Sequence, residues 1–173
     1  MLKYNEAKIV NVDNKCQLTP KLISYFDDHK IIVVNVVCGK DFTLALDHIG
    51  EVYSFGQNKN QQLGRNIMTY YETTPSIIKF EQPIIKIECG WYHGLALCKL
   101  GKVYMWGNPF VEQEYEIKNI PLPLEIEFKE PVIDIVSGFF HMGVITFNSN
   151  SNMKSLYTWG GNQYVINHLL TKS

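Results

Sequence analysis

Five histidines and four cysteines are the side chains best suited to nucleophilic, general-base or metal chemistry, and their spacing decides whether any is used that way. Cys16, Cys38, Cys89 and Cys98 contain no Cys-x-x-Cys pair, which disfavours both a zinc site and a disulfide scaffold, so all four read as reduced thiols. No glycine-rich loop ends in Lys-Ser or Lys-Thr, no His-Glu-x-x-His occurs, and no Ser/His/Asp set stands out. The sequence therefore predicts no catalytic residue, no cofactor-binding residue and no metal ligand, and an enzyme acting on a small substrate is disfavoured.

His93 and His141 instead share one position, three residues after Gly90 and Gly138, where Phe42 follows Gly39. A role that recurs in every copy of a repeat serves the architecture. The expectation is that a ring nitrogen bonds a nearby carbonyl and fixes the turn while the ring packs, and that Phe42 keeps only the packing. Cys38 and Cys89, equivalent to each other, read as small buried residues and not as nucleophiles.

The elements that position these residues follow from the repeat. Cys38 to Leu46 and Gly50 to Gly56 recur, at an offset of 51, as Cys89 to Leu97 and Gly101 to Gly107. A third copy runs from Ser137 to Ile145 at an offset of 48 and continues as Leu156-Tyr157-Thr158-Trp159-Gly160 after an insertion of five residues. Proline-led apolar stretches precede the copies at Pro20-Lys21-Leu22-Ile23, Pro75-Ser76-Ile77-Ile78 and Pro123-Leu124-Glu125-Ile126, with proline expected at the first residue of a strand. β-rich runs follow at Ile32 to Val37, Ile84 to Ile87 and Val132 to Val136, and hairpins close near Gly50 and Gly101. About four short strands per repeat predict an all-β chain, a partial β-propeller of about three four-stranded antiparallel blades. The expected boundaries are an N-terminal segment 1–18, three repeats over 19–64, 74–108 and 121–162, and a C-terminal tail 163–173.

Further repeat positions read as structural. Phe55, Trp106 and Trp159 each precede a glycine, at Gly56, Gly107 and Gly160, and are expected to pack between blades. Ala45 and Ala96 alternate with leucines, giving one thin and one bulky strand face. The polar run from Asn148 to Ser155 is expected to be a solvated loop.

The three blocks resemble the regulator of chromosome condensation repeat, with its C-G-x-x-H-[TS]-x-A-L, G-x-V-[YF]-x-[WF]-G and G-x-N-x-x-G-Q-L-G motifs. The likeness spans Thr19 to Asn162. The last motif is nearly complete once, from Gly56 to Gly64, with Gln61 standing where the family has glycine. The resemblance implies blades of a propeller that usually has seven. It also implies either a protein-interaction module or guanine nucleotide exchange on a Ran-like small GTPase. No wedge or acidic exchange loop is matched residue by residue.

Two departures from repetition point to specificity. The turn after the repeat glycine carries Trp91-Tyr92 and Phe139-Phe140 in two copies, against Lys40-Asp41 in the first, and these aromatics are the expected protein-interaction residues. The other departure is the polar run of the third hairpin. At 46% apolar, 19% charged and a net charge of -1, the composition is that of a globular chain and excludes a strongly cationic nucleic-acid binder. Phe110 to Asp134 holds seven acids against Lys118 and Lys129, so direct nucleic-acid binding is disfavoured there.

No apolar run is long enough to cross a bilayer and no targeting signal is evident, so the expected compartment is cytoplasmic or nuclear and no membrane partner is expected. Three blades cannot close a ring. The chain is therefore expected to belong to a larger propeller, or to complete one with a second copy or a protein partner. Lys8 to Val12 is a candidate edge strand and Val165 to Leu170 a candidate cap.

Overall fold

The computed structural model describes residues 19–109 and 119–161. After the short helix α1 (Ser24–Asp28) come three antiparallel meanders. Blade 1 is β1 (Val33–Cys38), β2 (Phe42–Asp47), β3 (Val52–Gln57) and β4 (Tyr71–Ile78). Blade 2 is β5 (Ile84–Cys89), β6 (His93–Cys98), β7 (Val103–Gly107) and β8 (Ile120–Ile126). Blade 3 has three strands among the described residues, β9 (Val132–Ser137), β10 (His141–Asn148) and β11 (Met153–Gly160). No helix among the described residues is long and apolar enough to cross a membrane. The candidate segments Lys8 to Val12 and Val165 to Leu170, and Asn162, lie outside the described residues.

The chain is the expected incomplete propeller, but sequence repeat and sheet are out of phase. The strands holding Pro75 and Pro123 close the sheet of the blade before them, β4 on β3 and β8 on β7. Proline sits within these strands and not at their first residue; Pro75 and Pro123 fall where the pairing register is interrupted, between Ser54 and Gly56 and between Met105 and Gly107 of the neighbouring strands, so no ladder N–H is missed there. Pro20-Lys21-Leu22-Ile23 forms no strand at all, and α1 follows it. Of the run expected as a solvated loop, Ser149 to Asn152 form an exposed turn, and the insertion lengthens the hairpin, with β10 and β11 paired from His141↔Gly160 to Asn148↔Met153. The Asn148 carboxamide accepts from the N–H groups of Asn150 and Ser151 at 3.0 Å, which fixes the turn.

Strand alternation places the cores between blades. Phe42, Leu44 and Leu46 of β2 meet Ile84, Ile87, Ala96 and Trp106 of blade 2 in one buried cluster. Leu95 and Leu97 of β6 meet Val132, Ile135, Met142 and Val144 of blade 3 in the next. The thin alanine face turns toward the preceding neighbour: Ala96 packs on blade 1, and Ala45 lies under Phe26 of α1. Each inner strand carries one irregularity at the same repeat position, between Val33 and Asn35, between Ile84 and Lys86, and opposite Ile145/Thr146 in β9. Such a bulge adds twist where strands crowd the axis. Backbone bonds then tie the blades, with Ile84 N–H donating to Gly50 O at 2.9 Å and Val132 N–H to Gly101 O at 3.0 Å.

Candidate functional site

The loops joining the inner strands to their neighbours gather at one end of the fan. In each, the repeat aromatic lies on the turn glycine of its own blade: a Cβ on Gly39 would collide with the Phe42 ring, one on Gly90 with His93 and one on Gly138 with His141. Only glycine admits that approach. His93 is fully buried, and its Nε2 lies 2.9 Å from the Ser137 hydroxyl of the next blade. Ser137 donates its single proton to Gly138 O at 3.1 Å, so Nε2 carries the ring hydrogen and donates to Ser137 Oγ.

The expected carbonyl partner is thus a hydroxyl on the neighbouring blade, and the histidine fastens blade to blade instead of fixing its own turn. Nδ1 is buried with no partner among the described residues. Burial, with the neighbouring His141 adding in the same direction, pushes the His93 imidazole down to about 4. His141, in contrast, is exposed.

The glycine of the aromatic-glycine pair is pinned by φ of 110° at Gly56, 88° at Gly107 and 118° at Gly160, and each abuts the first residue of the strand beside it. Trp106 is fully buried, and its indole N–H donates to Gln62 O of blade 1 at 2.9 Å. The loop that brings Gln62 there is held by Asn58, which accepts from Leu63 N–H at 3.1 Å and donates to the carbonyls of Ile67 and Thr69. Gln61 adopts φ 60°, the left-handed turn that a glycine would take without strain. Phe55 and Trp159 are half-buried, so the interblade packing expected for all three is complete only at Trp106.

One recurring feature escapes the motif reading. Phe80 packs against Tyr104 and Trp106 at ring-centroid distances of 5.4 and 5.7 Å, Phe128 against Tyr157 and Trp159 at 5.4 and 5.9 Å, and Phe26 against Tyr53 and Phe55 at 5.5 and 6.4 Å. Each is an aromatic in the connection that enters a blade, five residues after proline in two cases and six in the third. That spacing was the signal, blurred by α1.

The expected interaction residues do come together. Trp91 stacks on Phe139 at 4.8 Å and meets Phe140 edge-on at 5.3 Å and Tyr92 at 6.1 Å. Their turns form a ladder: Lys40 N–H donates to Trp91 O at 3.2 Å, and Trp91 N–H to Phe139 O at 3.0 Å. Trp91, Tyr92 and Phe140 are half-buried, while Phe139 is 62% exposed. Lys40 joins them from blade 1, donating to the Tyr92 hydroxyl at 2.8 Å with its ammonium 5.2 and 5.3 Å from the Trp91 and Tyr92 ring centres. The Tyr92 hydroxyl holds that ammonium above its usual pKa. Lys40 was missed because its residue type differs, although its turn position equals that of Trp91.

Beneath this layer, Lys86 of β5 bonds the Asp134 carboxylate and Ile135 O of β9 at 2.6 and 2.7 Å, with Glu88 at 3.4 Å. These charges serve each other across the blade junction. Cys89 is pushed up to about 12, chiefly by burial, which leaves it a neutral thiol. Cys38, Cys89 and Cys98 are free, with Cys38 exposed; Cys16 lies outside the described residues. Among the described residues no three or more His, Cys, Asp or Glu side chains are placed to hold a metal ion.

A sequence profile described as "Regulator of chromosome condensation (RCC1) repeat" matches residues 50–97, and a second of the same description matches residues 33–62 and 84–113. The mouse (Mus musculus) regulator of chromosome condensation is 29% identical over 147 residues, covering 82% of this chain and 33% of that protein. A zebrafish (Danio rerio) RCC2 homolog is 37% identical over 108 residues, covering 62% and 21%. Among solved structures, human WBSCR16 superposes with a TM-score of 0.60 at 25% identity, covering 74% of this chain and 33% of that one. Prp20p of Saccharomyces cerevisiae, whose structure was described with its binding to Gsp1p and histones, superposes with a TM-score of 0.56 at 21% identity, covering 74% and 33%, a likeness of fold alone. The chain spans a third or less of the length of these relatives.

Proposed function

The chain carries repeats of the regulator of chromosome condensation family, and from that premise we propose that it is a noncatalytic protein-interaction module whose docking surface is the aromatic turn ladder. The carrying observation is that Trp91, Tyr92, Phe139 and Phe140 form one cluster of rings on successive turns joined by backbone bonds, with the Lys40 cation beside it. Aromatic rings on backbone-bonded turns, and a cation held by the Tyr92 hydroxyl, lose little entropy on docking, which is what an interface anchor requires. A partner presenting apolar side chains with a carboxylate suits that combination. A cytoplasmic or nuclear setting belongs to the same reading.

The test is a binding panel of Ran-type small GTPases and core histones, with mant-GDP release followed in parallel. The reading predicts saturable binding that weakens at least about tenfold, or about 1.4 kcal/mol, in the Trp91→Ala/Phe139→Ala double variant. Unchanged binding by a folded double variant would sink the surface. Accelerated mant-GDP release at catalytic amounts would replace binding by nucleotide exchange.

A further inference from the structure

Three stretches read Pro-x-x-Ile, at residues 20–23, 75–78 and 123–126. Two are outer strands with one shared register. Ile78, Ile77 and Ser76 pair with Val52, Tyr53 and Ser54, and Ile126, Glu125 and Leu124 pair with Val103, Tyr104 and Met105. The third joins no strand among the described residues: Leu22 is 77% and Ile23 44% exposed.

At the far end of the fan the complementary situation holds. Leu156, Tyr157 and Thr158 stand where Val103, Tyr104 and Met105 stand, yet no strand among the described residues pairs with the outer edge of β11. Leu156 is 70% exposed there, whereas Val103 is fully buried. An unpaired edge of this length is a template for strand addition. Among the described residues there is thus one donor stretch without an acceptor and one acceptor edge without a donor.

The aromatic pins show where the donor sits. Phe80 and Phe128 leave the outer strand of one blade and anchor the connection on the next, and Phe26 makes the same contact on Tyr53 and Phe55. Residues 20–23 therefore enter blade 1 as an outer strand of a preceding blade would. Sheet surface is left uncovered at both ends as well. Val33 and Val36 are 37% and 57% exposed, where their equivalents Ile84 and Ile87 are buried, and Val136 is 54% exposed beside Leu156.

We propose that residues 20–23 of one copy add to β11 of a second copy as its fourth, antiparallel strand, with Ile23 opposite Leu156, Leu22 opposite Tyr157 and Lys21 opposite Thr158. The contact is head-to-tail, joining different surfaces of the two copies. It is separate from the aromatic turn ladder and stands whether or not that surface binds a partner.

Two charge variants of the full chain test it, Ile23→Asp to disable the donor and Leu156→Asp to disable the acceptor. Both positions are solvent-exposed, so each variant keeps its β signature in circular dichroism. The wild-type chain self-associates with concentration in light scattering. Each variant alone loses that association, and an equimolar mixture regains one-to-one dimers and nothing larger, because one intact donor meets one intact acceptor. A mixture that stays monomeric overturns the proposal, as does an oligomer that persists in either variant alone. Hydrogen-exchange protection of the outer β11 amides in a monomeric wild-type chain would also overturn it, by showing that the edge is covered from within the chain.

Discussion

His93 and His141 occupy the same place in consecutive blades, three residues past a turn glycine and with the ring laid on that glycine, yet one is fully buried and the other exposed. The difference lies outside their own blades. His93 bonds Ser137 of blade 3, and the Gly138 and Phe139 carbonyls of that blade close on Gly90, on which its ring lies, while no further blade covers His141 among the described residues. Trp106 and Trp159 repeat the lesson from the other direction: Trp106 receives the Gln62 loop of the preceding blade and is sealed, and Trp159 is half-buried. In a repeat protein the residue is specified by its own copy, but its energetics are specified by the neighbouring copy.

The largest test of that contrast is tryptophan truncation. Trp106→Ala removes a fully buried ring and its hydrogen bond, and should cost about 3–5 kcal/mol in urea unfolding followed by circular dichroism. Trp159→Ala should cost about 1–2 kcal/mol, since its ring already meets solvent on part of its surface. Equal costs would mean that the blade fixes the value of the position by itself.

Acid tests the buried histidine next. Burial first, and His141 second, hold the His93 imidazole at about 4 against 6.5 in the unfolded chain. Between those values the unfolded chain binds a proton that the folded chain refuses. Stability present above pH 6.5 is therefore lost as pH falls toward 4, by about 3 kcal/mol from this group. His93→Phe installs the residue type of Phe42, whose ring packs on Gly39 in the same manner, and should remove that part of the slope. The check is the urea midpoint between pH 7 and 4.5 in both proteins; an identical slope in the variant would clear His93 of the acid sensitivity.

The repeat itself was legible because glycines in close contact and aromatics beside them tolerate few substitutes, so the same types recur at Gly39, Gly90 and Gly138. Blade membership was not legible. Period gives the spacing of Pro75 and Pro123 but not the strand to which their backbones bond, and the outer strand joins the blade behind it. The pins Phe26, Phe80 and Phe128 escaped because α1 makes the connection from Ile23 to Val33 four residues longer than its two counterparts. At the candidate surface, Trp91, Tyr92, Phe139 and Phe140 were legible as departures from the repeat, but Lys40 was not, since only the fold brings its ammonium over the rings of the next blade. Ser137 was hidden for the same reason: read along the chain, it is only the residue that replaces cysteine.

That replacement supplies the finest test. Cys89 packs in the cluster that holds Phe42, a ring with no hydrogen to donate, whereas Ser137 receives the Nε2 hydrogen of His93. The two junctions are therefore matched pairs, Phe42 with Cys89 and His93 with Ser137. Ser137→Ala should cost about 1 kcal/mol in the wild-type chain, because it leaves a buried imidazole with no partner at either nitrogen among the described residues. In a His93→Phe background the same substitution should cost only a few tenths, roughly, since no donor then faces the site. The coupling of the cycle isolates the fastener from the packing of the ring. Additive costs would mean that Ser137 serves its own turn through Gly138 alone, and that the second junction is held as the first one is, by ring packing without a hydrogen bond.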